Sequence, residues 1–222
     1  MRKLFMILGL AVAVSCGGCN VFGWLVSETA HEEKVKAQFK LADYGKEGVL
    51  VFVDSLKKIN VGYGLEEKLE GAVENYLVKK VRLKKENILG GDELSKLRSS
   101  RPDFDRMSPV MVGEALGVGK VLYVRIENYN LYNIDGRDYY EGFLLTRSVL
   151  FDVGTGAVVW PDTRAGKVIR VKVDLETAGR EIALARLATA TAHCITRFFY
   201  NCPKDRFRIS EEQVIYDMMG GW

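Results

Sequence analysis

Three long extended stretches between Lys120 and Val173 constrain this chain more than anything else in it. Lys120 to Tyr132 is a β-branched and aromatic run, and Asn133-Ile134-Asp135-Gly136-Arg137-Asp138 turns it. Tyr139 to Val153 returns, with Phe143, Leu145, Val149 and Phe151 at odd positions. Gly154-Thr155-Gly156 turns the chain again, and Ala157 to Val173 makes a third strand with Pro161 as a break. Consecutive strands joined by short polar turns pair antiparallel, so this region predicts a three-strand meander. A sheet of that length must bury one face against other elements.

The flanking sequence supplies those elements. Val35 to Leu41 alternates like a strand, and Gly48 to Asp54 is a continuous apolar run typical of a strand covered on both faces. Leu65, Leu69, Val73, Tyr76 and Leu77 fall on one face of a helix from Leu65 to Val81. Glu66, Glu67 and Glu70 lead that helix on its outside and Lys79 and Lys80 finish it, which suits the helix dipole. Asn87 to Leu89 reads as a short strand, Asp92 to Leu97 as a short helix capped by Asp92, and Ser108-Pro109 as a helix start. An alanine-rich helix from Thr177 to about Tyr200 closes the domain, and Lys204 to Trp222 holds a short helix at most. The expected fold is a single α+β (α/β) domain: a mixed sheet with the meander, packed by two long amphipathic helices.

The first nineteen residues concern location. Arg2 and Lys3 precede the apolar run Leu4 to Val14, and Ser15-Cys16-Gly17-Gly18-Cys19 follows. A positive head, a short apolar run and small residues before a cysteine read as a bacterial lipoprotein signal. The rivals are a transmembrane anchor and ordinary secretion. Eleven apolar residues fall short of the roughly 20 that span a bilayer, and Ala13-Val14-Ser15 fits an ordinary cleavage site. Ala13-Val14-Ser15-Cys16 favours Cys16 as the acylated residue, with Cys19 the alternative. The expected layout is a signal at 1–15, a lipidated tether at 16–34, the domain at 35–203 and a tail at 204–222. Val21, Phe22, Trp24, Leu25 and Val26 suit either the membrane interface or packing on the domain. The protein is therefore expected in the bacterial envelope, held through its lipid to a membrane, the outer one preferred, and facing the periplasm.

The segment Val112-Gly113-Glu114-Ala115-Leu116-Gly117-Val118-Gly119-Lys120-Val121-Leu122-Tyr123, followed by a meander, resembles a periplasmic α/β domain of bacterial envelope lipoproteins. These include the curli secretion channel lipoprotein, the outer-membrane activator of penicillin-binding proteins and the N-terminal domain of the Tol propeller protein. The resemblance covers about residues 49–170 and carries no binding residue. It implies a non-enzymatic role in envelope assembly, through self-association or an envelope protein partner. Arg125, Glu127, Arg147, Arg164 and Lys167 interrupt the strands, against a membrane-spanning barrel.

Little in the chain reads as chemistry. A net charge of +3 gives no case for nucleic acid. His31 and His193 have no metal-ligand spacing with each other or with cysteine, so no metal is expected. His193 beside Cys194 reads as a helix histidine facing solvent or a partner rather than as a catalytic pair. Gly62-Tyr63-Gly64 reads as a turn into a helix, since neither nucleotide pattern is completed, and no cofactor is expected. The Asp152 to Trp160 hairpin is read as a tight turn. Lys79, Lys80, Arg82, Lys84 and Lys85 read as a solvated helix end, with an anionic surface as the alternative. Asp103, Asp105 and Glu114 are the carboxylates considered for hydrolysis. Cys194 and Cys202 either form a disulfide, which needs the last helix to stop between them, or stay as two thiols. Tyr129, Tyr132, Tyr139 and Tyr140 crowd one hairpin, as a partner or glycan surface or as cross-strand packing. The leading expectation is a lipid-anchored adaptor or assembly component without enzymatic activity. The alternatives are an exported hydrolase using carboxylates and an envelope sugar-binding module.

Overall fold

Strands β4 (Lys120–Ile134) and β5 (Tyr139–Asp152) pair antiparallel from Lys120↔Asp152 to Ile134↔Tyr139. The computed structural model describes residues 33–56, 59, 64–134, 136, 138–176 and 179–207. The signal, Cys16, Cys19, His31, Gly62, Tyr63 and the tail past Phe207 lie outside the described residues. Strand β2 (Val49–Ser55) pairs parallel with β4 and with β3 (Ile88–Leu89). Strands β6 (Val158–Trp160) and β7 (Lys167–Glu176) pair antiparallel with opposite ends of β5. The result is the mixed sheet with a meander that the sequence predicts, in the order β3-β2-β4-β5-β6 with β7 also on β5.

Helices α1 (Leu65–Tyr76) and α4 (Arg180–Thr196) pack on one face of this sheet, against Val49, Val51, Val53, Leu122, Val124, Ile126, Leu144, Leu150 and Ile169. Helices α2 (Gly91–Ser100) and α3 (Pro109–Leu116) cover part of the other face, with Leu94, Phe104 and Val112 meeting Leu50, Phe52 and Val121. That two-sided cover explains why β2 reads as an unbroken apolar run. Each fully buried leucine in these layers adds roughly 1.5–3 kcal/mol. Gly113 lets α3 lie close: a Cβ there would stand 2.6 Å from Val121 Cγ2 and 2.7 Å from Val153 Cγ2. Ser108 caps α3, its hydroxyl accepting from the Met111 N–H at 3.3 Å.

Several boundaries differ from expectation for local reasons. Only Lys34–Val35 (β1) is strand in the Val35–Leu41 stretch, because the next donors, the Gln38 and Phe39 N–H groups, turn to the Phe198 carbonyl. α1 continues as a wider π turn over Leu77–Val81 and stops at Arg82, which adopts φ 71°. α2 begins at Gly91 and not at an Asp92 cap. α4 ends at Thr196, and Cys202 passes into β8 (Cys202–Pro203), pairing with Val35. A short helix, Lys204–Phe207, follows. The helix does stop between the cysteines, yet Cys194 and Cys202 are separate, buried thiols, so the disulfide is not formed. Cys202 Sγ instead donates to Tyr200 Oη at 3.6 Å.

Candidate functional site

A register shift between Ile126 and Asn128 decides what the tyrosine hairpin presents. Before it, the even residues of β4 (Leu122, Val124, Ile126) face α1 and α4; after it, Tyr129 and Leu131 do. The extra residue of the bulge reverses the alternation. The four tyrosines therefore divide. Tyr140 is buried, and Tyr129 packs beside it with its hydroxyl 3.3 Å from Arg180 Nη2 on α4. Tyr132 and Tyr139 are 59% and 39% exposed. Only these two belong to a surface; the other pair is core packing.

On the outer face, α2 and α3 reach as far as an ionic belt at the bulge. Arg147 grips Glu127 with two bonds, Nε to Oε1 at 2.5 Å and Nη2 to Oε2 at 3.1 Å, and Arg125 Nη2 adds a third at 3.1 Å. These donors hold the Glu127 carboxyl below its ordinary range. Beyond the belt no described helix covers the sheet. Phe143 and Leu145 lie there half-buried, beside Asn128 and Asn130 on β4 and Arg170 and Lys172 on β7. Asn128, Asn130, Tyr132, Glu141, Phe143 and Lys172 line a depression of about 200 Å³. Lys172 and Glu141 pair across its rim at 2.8 Å.

The opposite end of the sheet receives the N-terminal segment. Trp160 Nε1 donates to Gln38 Oε1 at 3.0 Å, the Ala37 N–H donates to Asn201 Oδ1 at 3.2 Å, and Trp160 packs edge-on against Phe199. Trp160 pairs with Leu150 on β5, while Tyr139 begins that strand. At about 3.4 Å per residue the hairpin end stands roughly 35 Å from the end where the segment from Lys34 docks.

Other sequence candidates fall elsewhere. His193 is buried and does not face solvent, because residues Ala190 to Thr196 of α4 are enclosed on every side. Its Nε2 meets the Arg206 carbonyl at 3.2 Å, so that nitrogen carries the proton, and burial pushes its pKa down to about 4. Asp103 is gripped by Arg101 at 2.9 and 3.0 Å, and Glu114 is exposed on α3. Lys85 is bound to Glu74 at 2.6 Å and Lys84 lies 3.7 Å from Glu86. The Gly154 turn is held by Asp152, whose Oδ1 accepts from the Thr155 N–H and hydroxyl.

Glu70 departs from its sequence reading as well. Glu70, expected on the solvent side of α1, is only 6% exposed. Burial first, then the neighbouring Glu74, raises its pKa to about 8. It lies in a groove of about 590 Å³ between α1 and α2. A helical wheel contains the signal, since Glu70 falls between Leu77 and Val81 on the buried arc.

No protein-family model and no curated protein matches the chain. Among solved structures, it is similar to the PelC dodecamer from Paraburkholderia phytofirmans at TM-score 0.40 and 12% identity, over 75% of this chain and 91% of that one. Lipoprotein GNA1162 from Neisseria meningitidis aligns at TM-score 0.39 and 15% identity, over 67% and 97%. The LpoB C-terminal domain from Salmonella enterica aligns at TM-score 0.30 and 17% identity, over 69% and 93%. At these scores no residue role is transferred from them.

Proposed function

We propose that this protein is a lipid-anchored, non-enzymatic adaptor or assembly component of the bacterial envelope, which acts through protein contact at the outer face of the β4–β5 hairpin. The observation that carries the reading is the uncovered end of that face, with Tyr132, Tyr139, Phe143 and Leu145, roughly 35 Å from where the chain enters the domain. Aromatic residues amid a polar rim suit a contact surface of modest size. The tether is tested by substituting Cys16 and Cys19 together, which is expected to release the protein from membranes; retention in the membrane fraction refutes it. The surface is tested with a photo-crosslinking residue at position 132 or 139 in native envelopes. A discrete adduct with one protein or a second copy is expected, lost on Phe143→Asp. Adducts that persist unchanged in Phe143→Asp refute the surface.

A second reading, an exported hydrolase, is favoured by Glu70, since a buried carboxyl with a raised pKa suits a general acid. Against it, Glu74 is already committed to Lys85, and no aromatic platform lines the groove among the described residues. Hydrolysis of envelope polysaccharide that disappears in Glu70→Gln would establish this reading.

A further inference from the structure

The groove at Glu70 stands apart from the hairpin face and lies at a reversal in the sheet. The adjacent parallel strands β2 and β3 are followed by helices on opposite faces, α1 on one and α2 on the other. The crevice outside the carboxyl ends of two such strands is where open α/β sheets bind ligands. Val53, near the end of β2, and Gly90-Gly91, just after β3, form its floor.

An anion does not suit this crevice. Glu66, Glu67, Glu70, Glu74, Asp92 and Glu93 line it, against two cations, Lys85 and Arg98. The start of α2, the natural anion seat, already has carboxylates against it. A Cβ on Gly90 would fall 1.7 Å from Glu74 Oε1, and one on Gly91 would fall 3.2 Å from Glu70 Oε2. A metal ion does not suit it either: the carboxylates are strung along a helix, and among the described residues no three acidic, His or Cys groups converge.

The carboxylates do suit a string of ammonium groups. Glu66, Glu70 and Glu74 sit at i, i+4 and i+8 of α1, about 6 Å apart along the axis. One seat is taken, with Lys85 Nζ 2.6 Å from Glu74 Oε2. The next carboxyl along the row, Glu70, lines the groove but is unpaired: its Oε1 is buried with no hydrogen-bond partner. A buried acceptor without a donor costs about 1–3 kcal/mol, so a donor brought by a ligand would be rewarded there.

We propose that the α1–α2 groove binds a linear aliphatic polyamine, with one ammonium group donating to the Glu70 carboxylate and the next lying against Glu66 and Glu67. Three or four methylenes between ammonium groups reproduce the spacing of the row. The groups facing Glu70 are Glu66, Glu67 and Glu74 from its own helix and Arg98 from α2. An ammonium ion there favours the charged carboxylate, so Glu70 gives up its proton as the amine binds.

Titration calorimetry of the full chain with spermidine, at pH 7 and low salt, tests this. One saturable site is expected, with propylamine at least tenfold weaker. Measured in two buffers of different ionisation heat, binding should release close to one proton per spermidine. Glu70→Gln should weaken binding at least tenfold and abolish the proton release, while Glu114→Gln on α3 leaves both unchanged. Gly71→Lys guards against a folding artefact. A Cβ at Gly71 meets nothing within 4 Å, and lysine is the better helix former. That variant should fold and lose binding because its own ammonium group fills the groove. Absence of a saturable site, equal binding of propylamine, or unchanged affinity in Glu70→Gln would each overturn the proposal.

Discussion

Replacing Glu70 by glutamine should change how the stability of the protein depends on pH, and the structure sets sign and size. In the unfolded chain this carboxyl ionises near 4.5; in the fold, burial holds it protonated to about 8. A raised folded pKa means that its stability contribution is complete below 4.5 and is lost as pH rises through 8. Between 4.5 and 7 the folded state keeps a proton that the unfolded state has released, at about 1.4 kcal/mol per pH unit. The loss by pH 7 is therefore roughly 3 kcal/mol. Glutamine has nearly the same shape and does not titrate, so Glu70→Gln should escape that loss. Urea denaturation of both proteins at several pH values between 4.5 and 7.5 measures it. The stability difference between variant and wild type should move in favour of the variant by roughly 3–4 kcal/mol across that range. Any fixed cost of packing the amide drops out, because only the pH dependence is compared. Parallel stability curves would show that Glu70 ionises normally and would refute the buried-carboxyl description.

Three further outcomes follow from packing and burial. Tyr140→Ala should cost about 3 kcal/mol in urea denaturation, whereas Tyr132→Ala should stay within about 0.5 kcal/mol, because only the first is core. Gly142→Ala should destabilise by roughly 1–3 kcal/mol, since its Cβ would meet Val173 Cγ2 at 2.8 Å and Leu187 Cδ2 at 3.3 Å; unchanged thermal unfolding would contradict that contact. His193, held near 4 by burial against 6.5 when free, should cost stability as pH falls from 6.5 towards 4. The acid side of the stability curve should flatten in His193→Gln, and an unaltered acid limb would count against its burial.

The meander, the buried strand β2 and the two long helices are legible in the sequence because alternation and helical periodicity report burial over many residues. What escapes is set by single contacts between distant segments. The Val35–Leu41 alternation looks like strand, yet Gln38 is claimed by Phe198 and Trp160. His193 looks exposed on an amphipathic helix, yet the end of α4 is roofed by Tyr76, Phe198 and the β8 region. The tyrosines look like one cluster, and one residue of bulge at Glu127 separates them into two faces. Glu70 is the instructive case: glutamates at a helix start are ordinary on dipole grounds, and that ready explanation conceals its place on the buried arc.

The same bulge links the fold to the proposed contact surface. Without it, β4 would keep one parity along its length, and Tyr132 would turn toward α4 while Leu131 turned outward. Inserting the residue costs one disrupted rung, at the point where Arg125, Glu127 and Arg147 form their ionic belt. The belt lies between the outer face covered by α2 and α3 and the open hairpin end, so charge caps the second core where its helical cover stops. The two ends of the sheet thus differ in structure. At the Trp160 end, the Trp160–Gln38 hydrogen bond, the Gln38 and Phe39 N–H bonds to the Phe198 carbonyl and the β1–β8 pair hold the N-terminal segment to the domain. At the hairpin end the inner face stays in the core while the outer face carries Tyr132 and Phe143 toward solvent, an arrangement that stability alone does not require.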